Sequence, residues 1–173
     1  MMLSERISCL ENEREANYVV QRLVLCGVRP SAIRHLVSDL RTNDIKRIHK
    51  FVSPKKKDER HGRNIKSENI GKLDPGINLL YLKCIDLVNE TVEHNKSSIA
   101  DAISAVWRIF ADNYGFAHHE SINGATCEEM LHTYLQYKYG ELSISNCGCG
   151  NQYISHAEVK CPQCRIRRKD TGT

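Results

Sequence analysis

The chain has 173 residues, of which 40% are hydrophobic, and carries a formal net charge of +4 at neutral pH. This length allows one main domain with a small addition, but hardly two full domains. No stretch approaches about 18 consecutive apolar residues, and the N-terminus lacks an apolar signal core with a small-residue cleavage site, so we expect a cytoplasmic protein without a membrane partner.

The positive charge is concentrated in two segments. Residues 46–66 hold nine lysines and arginines against two acidic residues, and residues 160–170 hold five against Asp170. The rest of the chain is therefore acidic. Two basic segments on an acidic body indicate a polyanionic partner that contacts particular faces, although solvated charge runs are common on protein surfaces.

Hydrophobic periodicity predicts a long first helix from Glu5 to Cys26, which stops at Gly27. A short apolar helix follows over residues 30–37. After a turn at residues 38–41, a further helix is expected over residues 43–52, with Thr42 as its cap.

Residues 30–52 form a helix-turn-helix candidate. Ile45, Ile48 and Val52 share one face of the second helix, which leaves Lys46, Arg47 and Lys50 on the others. In a helix-turn-helix the second helix lies in the DNA major groove, so these three cations are candidate DNA contacts. An ordinary pair of core helices with a solvated outer face is the alternative, because the turn contains no glycine.

Residues 53–76 have few large hydrophobic side chains and predict a long basic loop, in which Lys55, Lys56 and Lys57 are candidate DNA contacts. Loops of this length inside a compact domain are usually functional or disordered. The excess of lysine and arginine favours phosphate contacts over a catalytic lid.

Helical periodicity returns from Ile77 to Val88 and from Ile99 to Phe110. A capping box at Thr126 and Glu129 begins another helix, which runs towards Gly140. Residues 1–140 are therefore expected to form an all-α body. Four cysteines scattered singly through its apolar patterns are expected to be small buried side chains: Cys9, Cys26, Cys84 and Cys127.

No catalytic constellation is evident in the sequence. His118, His119 and Glu120 are adjacent but have no partner motif, so a surface turn is expected there. There is no Walker loop, nucleophile elbow or dinucleotide fingerprint. We therefore expect a protein that is not an enzyme and has no small-molecule substrate.

Residues 141–173 contain the other four cysteines, in two tight pairs: Cys147 and Cys149, then Cys161 and Cys164. Alternating residues at 142–145 and 152–155 predict a short hairpin around the first pair. Four thiolates suit one structural Zn²⁺ ion in a closed tetrahedral site, a zinc-ribbon-like module. Only one residue separates the first pair, and we expect Gly148 and Gly150 to relieve this tight loop with positive φ.

Two alternatives to this four-cysteine site remain. His156 would replace Cys147 as the fourth ligand, or Cys161 and Cys164 would form a redox dithiol, although no thioredoxin-like βαβ pattern precedes them. With a metal, the module is expected to depend on it, so that chelation unfolds residues 142–165 first. The basic tail supplies further candidate DNA contacts: Arg165, Arg167, Arg168 and Lys169.

The run from Asn146 to Ala157, followed by the Cys161 to Cys164 pair and the basic tail, resembles the zinc segment of FlhC-type subunits of the bacterial flagellar master transcription activator. The string Tyr-Ile-Ser-His-Ala at residues 153–157 is its most specific part. Residues 41–55 also resemble the family's second helix and the proline-bearing basic stretch after it.

The resemblance implies a helical body with a C-terminal zinc module, and it places Cys149, Cys161 and Cys164 on family zinc positions. Asn146 stands where the family has its first cysteine, so Cys147 is assigned as the substitute. It further implies a complex with a FlhD-type subunit that binds promoter DNA and activates flagellar and related genes through RNA polymerase. A zinc-ribbon adaptor that binds only protein is the alternative function.

Overall fold

The computed structural model describes residues 3–37, 40–53, 66–113, 121–122, 125–156 and 161–165. The helices are α1 (Leu3–Leu25), α2 (Pro30–Ile33), α3 (Thr42–Val52), α4 (Pro75–Asn95), α5 (Ile99–Asn113) and α6 (Cys127–Lys138), with a 3₁₀ helix (Ser67–Lys72) before α4. Two antiparallel hairpins complete the described part: β1 (Ser121–Ile122) with β2 (Ala125–Thr126), and β3 (Ser143–Asn146) with β4 (Gln152–Ser155). The predicted fold class, a helical body followed by a small four-cysteine hairpin module, is confirmed.

The helices share one hydrophobic core. Its largest fully buried side chains include Trp107, Tyr81 and Leu23, which come from α5, α4 and α1. Cys26, Cys84 and Cys127 are buried as predicted, while the side chain of Cys9 lies outside the described residues. None of the described helices is long and apolar enough to span a membrane.

Local signals set several helix ends. Asp74 caps α4 by accepting from the backbone N–H of Gly76 at 2.8 Å, next to a proline at the first helical position. The predicted capping box of α6 is present, because Thr126 accepts from the Glu129 N–H at 3.2 Å and Glu129 accepts from the Thr126 N–H at 3.1 Å. Gly27, with φ of 79°, follows the end of α1 closely.

Partly buried ion pairs fix the helices around α1. Arg22 of α1 donates to Asp101 of α5 at 2.7 Å. After α1, Arg29 binds Glu128 of α6 through its guanidinium and its backbone N–H, and the Glu128 side chain is 0% exposed. These contacts join the N-terminal helices to the second half of the chain.

The segment of residues 30–52 differs from its prediction in detail. α2 is one turn long, Pro30–Ile33, instead of extending to residue 37, and Thr42 is the first residue of α3 instead of its cap. Arg41 holds the N-cap position without a side-chain cap bond. Both α2 and α3 are nevertheless present, and α3 packs against both α1 and α2.

The predicted loop of residues 53–76 is not a loop throughout. Its last part forms the 3₁₀ helix Ser67–Lys72 and begins α4 at Pro75. Ile70 is fully buried and joins the core, which explains why this segment is ordered despite its polar composition. Lys55, Lys56 and Lys57 lie outside the described residues.

The β3–β4 hairpin packs directly on the helical body. Leu142 and Ile154 are buried within the same core as the helices. Asn78 of α4, 2% exposed, donates to the Ile154 carbonyl at 3.1 Å and accepts from the Ile154 N–H at 3.0 Å. The two parts on either side of residue 140 therefore share one core.

Candidate metal centre

Two short backbone features carry the four cysteines. The first pair lies in the turn between β3 and β4, which is closed by bonds from the Cys147 N–H to the Asn151 carbonyl and from the Gly150 N–H to the Cys147 carbonyl, both 2.9 Å. In the second pair, Cys161 directly precedes a helical turn at residues 162–165 and Cys164 lies within it, and Pro162 occupies the first helical position. Turn and helix bring the two pairs together although eleven residues separate them in sequence.

The four sulfur atoms form one compact group, the cysteine cluster: Cys147, Cys149, Cys161 and Cys164. All four lie within 4.8 Å of one another, with Sγ–Sγ distances of 3.7 Å from Cys147 to Cys164 and 3.9 Å from Cys149 to Cys161. Four sulfurs around a zinc ion at about 2.3 Å in a tetrahedron are separated by about 3.8 Å. The spacing therefore fits a metal ion, and it is far longer than the roughly 2.05 Å of a disulfide bond.

The cluster contains Cys147 and does not include His156. A ligand at Cys147, one residue after the family's first cysteine position, is therefore compatible with convergence of all four sulfurs. The prediction that Gly148 and Gly150 both relieve the tight loop with positive φ is half right. Gly150 has a φ of 87°, but Gly148 does not adopt a positive φ, and a side chain there would meet nothing within 4 Å.

Asn151 links the two halves of the cluster. Its side-chain N–H group donates to the Cys149 sulfur at 3.3 Å and to the Gln163 side-chain carbonyl at 2.6 Å. Partners of this kind orient ligands and raise metal affinity. Sequence analysis missed both residues, and their only signal was a position one or two residues from a cysteine.

The cluster prepares one ligand for metal binding. The Asn151 backbone N–H, followed by the thiols of Cys147 and Cys164, donates to the Cys149 sulfur, and together they lower the pKa of Cys149 to about 6. Its hydrogen bond with Cys149 contributes most to raising the pKa of Cys164 to about 12. Because metals bind thiolates, the lowered pKa of Cys149 favours the form of this side chain that a metal would bind.

Exposure is uneven across the cluster. Cys161 is 3% exposed, whereas Cys149 is open to solvent and the other two are intermediate. A polar groove of about 400 Å³ borders it, between the start of α4 and the hairpin, and contains Asn78, Lys83 and the partly exposed Leu79. The geometry brings the four cysteine sulfurs around one point.

Arg165 ties this site to the body. Its guanidinium donates to the Leu73 carbonyl at 3.2 Å, and its side chain is only partly exposed. The contact joins the second cysteine pair to the helical body, and the role of Arg165 in DNA binding stays a prediction. Arg167, Arg168 and Lys169 lie outside the described residues.

The other candidate contacts lie on α3. Lys46, Arg47 and Lys50 are exposed, while Ile45 is fully buried and Ile48 and Val52 pack against the core, so the predicted separation of faces is present. α3 packs on α1 and α2, whereas the hairpin of the cysteine cluster packs on α4 and the 3₁₀ helix. The cations and cysteines therefore belong to different parts of the body.

No model of a known protein family matches the chain, and no curated protein matches it in sequence.

Proposed function

We propose that this protein is the DNA-binding subunit of a bacterial transcription activator of the FlhC type, cytoplasmic and without enzymatic activity. The observation that carries the proposal is α3, whose apolar face enters the core while Lys46, Arg47 and Lys50 remain exposed. Cations fixed on one helix face suit the phosphate groups of double-stranded DNA.

The cysteine cluster supports the same proposal. We assign it one structural Zn²⁺ ion, because the sulfur spacing matches the zinc–sulfur distance and four thiolates leave no position for a reacting water. The ion would hold the turn of residues 147–151 against the turn of residues 162–165.

The partners follow from the resemblance of residues 146–157 to FlhC-type subunits. They are a FlhD-type subunit, promoter DNA of flagellar and related genes, and RNA polymerase. The helical body followed by a four-cysteine hairpin has the order of elements that the resemblance implies. The Cys147 substitution is compatible with it, since the cluster still closes.

The test is DNA binding by the purified protein, alone and with a FlhD-type partner, on a flagellar promoter fragment in gel shift and fluorescence anisotropy. The logarithm of affinity should fall linearly with the logarithm of salt concentration, and replacing Lys46 and Lys50 with alanine should reduce the slope by about 0.9 for each phosphate that is no longer neutralised. Lys138→Ala, at the exposed end of α6, is the matched control and should leave affinity and slope unchanged. Failure to bind DNA in either form, or binding insensitive to salt, contradicts the proposal.

An adaptor that binds only protein is the second candidate. The groove beside the cysteine cluster favours it, because Leu79 is 47% exposed there and amide side chains surround it. In that case the FlhD-type or another protein partner would bind without DNA, and Leu79→Asp would abolish the complex while the variants of α3 would not.

A further inference from the structure

Two uncharged side chains lie among the cations of α3. We define the outer face of α3 by its exposed residues on this side: Asn43, Lys46, Arg47, Lys50 and Phe51. Phe51 is 91% exposed, more than any other large hydrophobic side chain in the described part of the chain. A single exposed hydrophobic residue is ordinary on a protein surface, so its position among the cations is what matters here.

The positions on this face follow the helix period. Asn43, Lys46, Arg47 and Lys50 recur at intervals of three and four residues, the spacing with which homeodomain recognition helices present base-contacting residues to the major groove. Phe51 follows one turn after Arg47, so it adjoins the same surface. The opposite side of the helix is occupied, because Ile45 is fully buried and Val52 packs against the core.

The chemistry of the five side chains divides into two kinds. Lysine and arginine contacts with phosphate provide affinity on any sequence. Asparagine matches the N6 and N7 groups of adenine, and an apolar side chain such as phenylalanine contacts the methyl group of thymine. Both groups are presented in the major groove by A·T base pairs.

Resting on the proposed function, we infer that Asn43 and Phe51 select A·T base pairs in the major groove, whereas the neighbouring cations hold the DNA backbone. Eight residues of helix correspond to roughly 12 Å. If α3 lies along the groove, the two contacts are therefore roughly three to four base pairs apart, since successive pairs are about 3.4 Å apart.

The experiment selects binding sites from a randomised DNA library with the full chain in complex with its FlhD-type partner. The wild-type complex should return a motif with two conserved A·T pairs at that separation. Affinity is then measured by anisotropy on the selected site and on versions in which either A·T pair is replaced by G·C. The ratio of the two affinities gives the discrimination at each pair.

Asn43→Ala and Phe51→Ala should each reduce this discrimination at one pair, by roughly 5-fold to 150-fold for the asparagine, which is the range of one bidentate base contact. Neither variant should change the salt dependence, because neither side chain is charged. Lys50→Ala is the matched control on the same face, and it should weaken both sites equally and reduce the salt slope by about 0.9. All three residues are exposed, so circular dichroism should show an unchanged fold.

The possible failures are distinct. A wild-type complex that binds no DNA refutes the proposed function and this inference together. A wild-type complex that binds DNA, with a discrimination that survives both alanine variants, refutes the inference alone. If Phe51→Ala instead lowers the mass of the protein complex in sedimentation while DNA discrimination persists, Phe51 is a protein-interface residue and the inference is wrong.

Discussion

Asn78 offers the sharpest test of how the hairpin is held. This buried amide of α4 both donates to and accepts from the backbone of Ile154 in β4. Asn78→Ala removes both side-chain hydrogen bonds at once and leaves the buried N–H and the buried carbonyl of Ile154 without these partners. The change is therefore expected to destabilise the attachment of the hairpin to the helices.

The magnitude follows from the cost of unsatisfied buried groups. Each costs about 1–3 kcal/mol, so the two together cost roughly 2–6 kcal/mol. The groove beside Asn78 admits water and lessens the loss. We expect a fall in unfolding free energy of about 2–4 kcal/mol, a large share of the roughly 5–15 kcal/mol of a typical domain.

Urea denaturation measures this directly. Trp107 is the single tryptophan and is fully buried between helices, so its fluorescence reports on the body, while far-ultraviolet circular dichroism reports on the whole chain. Asn95→Ala at the exposed end of α4 is the matched control, expected to change stability by less than about 0.5 kcal/mol. A loss below about 1 kcal/mol in Asn78→Ala, or an unchanged Trp107 transition, would refute the reasoning.

Three further expectations concern the cluster and the buried carboxylate. Chelation of the metal should first increase amide hydrogen exchange in residues 147–151, while the Ile154 N–H, which donates to Asn78, stays protected. Equal exchange at both places would contradict the shared core. In a zinc titration, Cys149→Ser and Cys161→Ser should each weaken zinc binding. In a urea titration of the metal-free protein, Cys149→Ser should be as stable as wild type and Cys161→Ser less stable, because Cys161 is buried and Cys149 is exposed. Burial alone would raise the pKa of Glu128, but hydrogen bonds from His132 and Arg29 outweigh it and lower that pKa to about 2, from 4.5 when exposed. The ionised Glu128 therefore contributes to the unfolding free energy above about pH 4.5, and this contribution is lost as pH falls towards 2. In Glu128→Gln, the fall in unfolding free energy between those pH values should be smaller by roughly 2–3 kcal/mol. An unchanged fall would argue against the ion pair.

Elements defined by near neighbours in sequence were predictable. The capping box of Thr126 and Glu129, and the hairpin around Cys147 and Cys149, depend on residues a few positions apart. The 3₁₀ helix was not predictable, because Ile70 is an isolated hydrophobic residue in a polar segment. Its burial comes from elements distant in sequence, which local periodicity does not report.

Asn78 illustrates a second limit. It stands on the buried stripe of α4 with Leu82 and Ile85, four and seven residues later, but a search for hydrophobic periodicity passes over a polar residue. The physical signal was available, since a polar side chain on a buried stripe requires a hydrogen-bond partner. The identity of that partner, 76 residues away, was not.

The cysteine cluster was predictable from residue type and spacing, because four thiols in two close pairs have few other uses. The contact between Arg165 and the body was not. The position of Arg165 directly after Cys164 in a basic tail predicts a DNA contact, which stays a prediction, but does not indicate that its guanidinium binds the Leu73 carbonyl, 92 residues earlier in the chain. Sequence charge indicates a class of partner but not which of several anionic or carbonyl groups is nearest.

The burial of Leu142 and Ile154 in the helical core has a consequence for thermodynamic linkage. A ligand that binds only the folded state stabilises everything that unfolds with its site. A metal ion held by the cysteines would therefore stabilise the helices that surround Trp107 as well as the hairpin, by about 1.4 kcal/mol for each tenfold rise in free metal above its dissociation constant. The availability of the metal would then help to set what fraction of the entire chain is folded, and the four-cysteine segment could not be exchanged as an independent cassette.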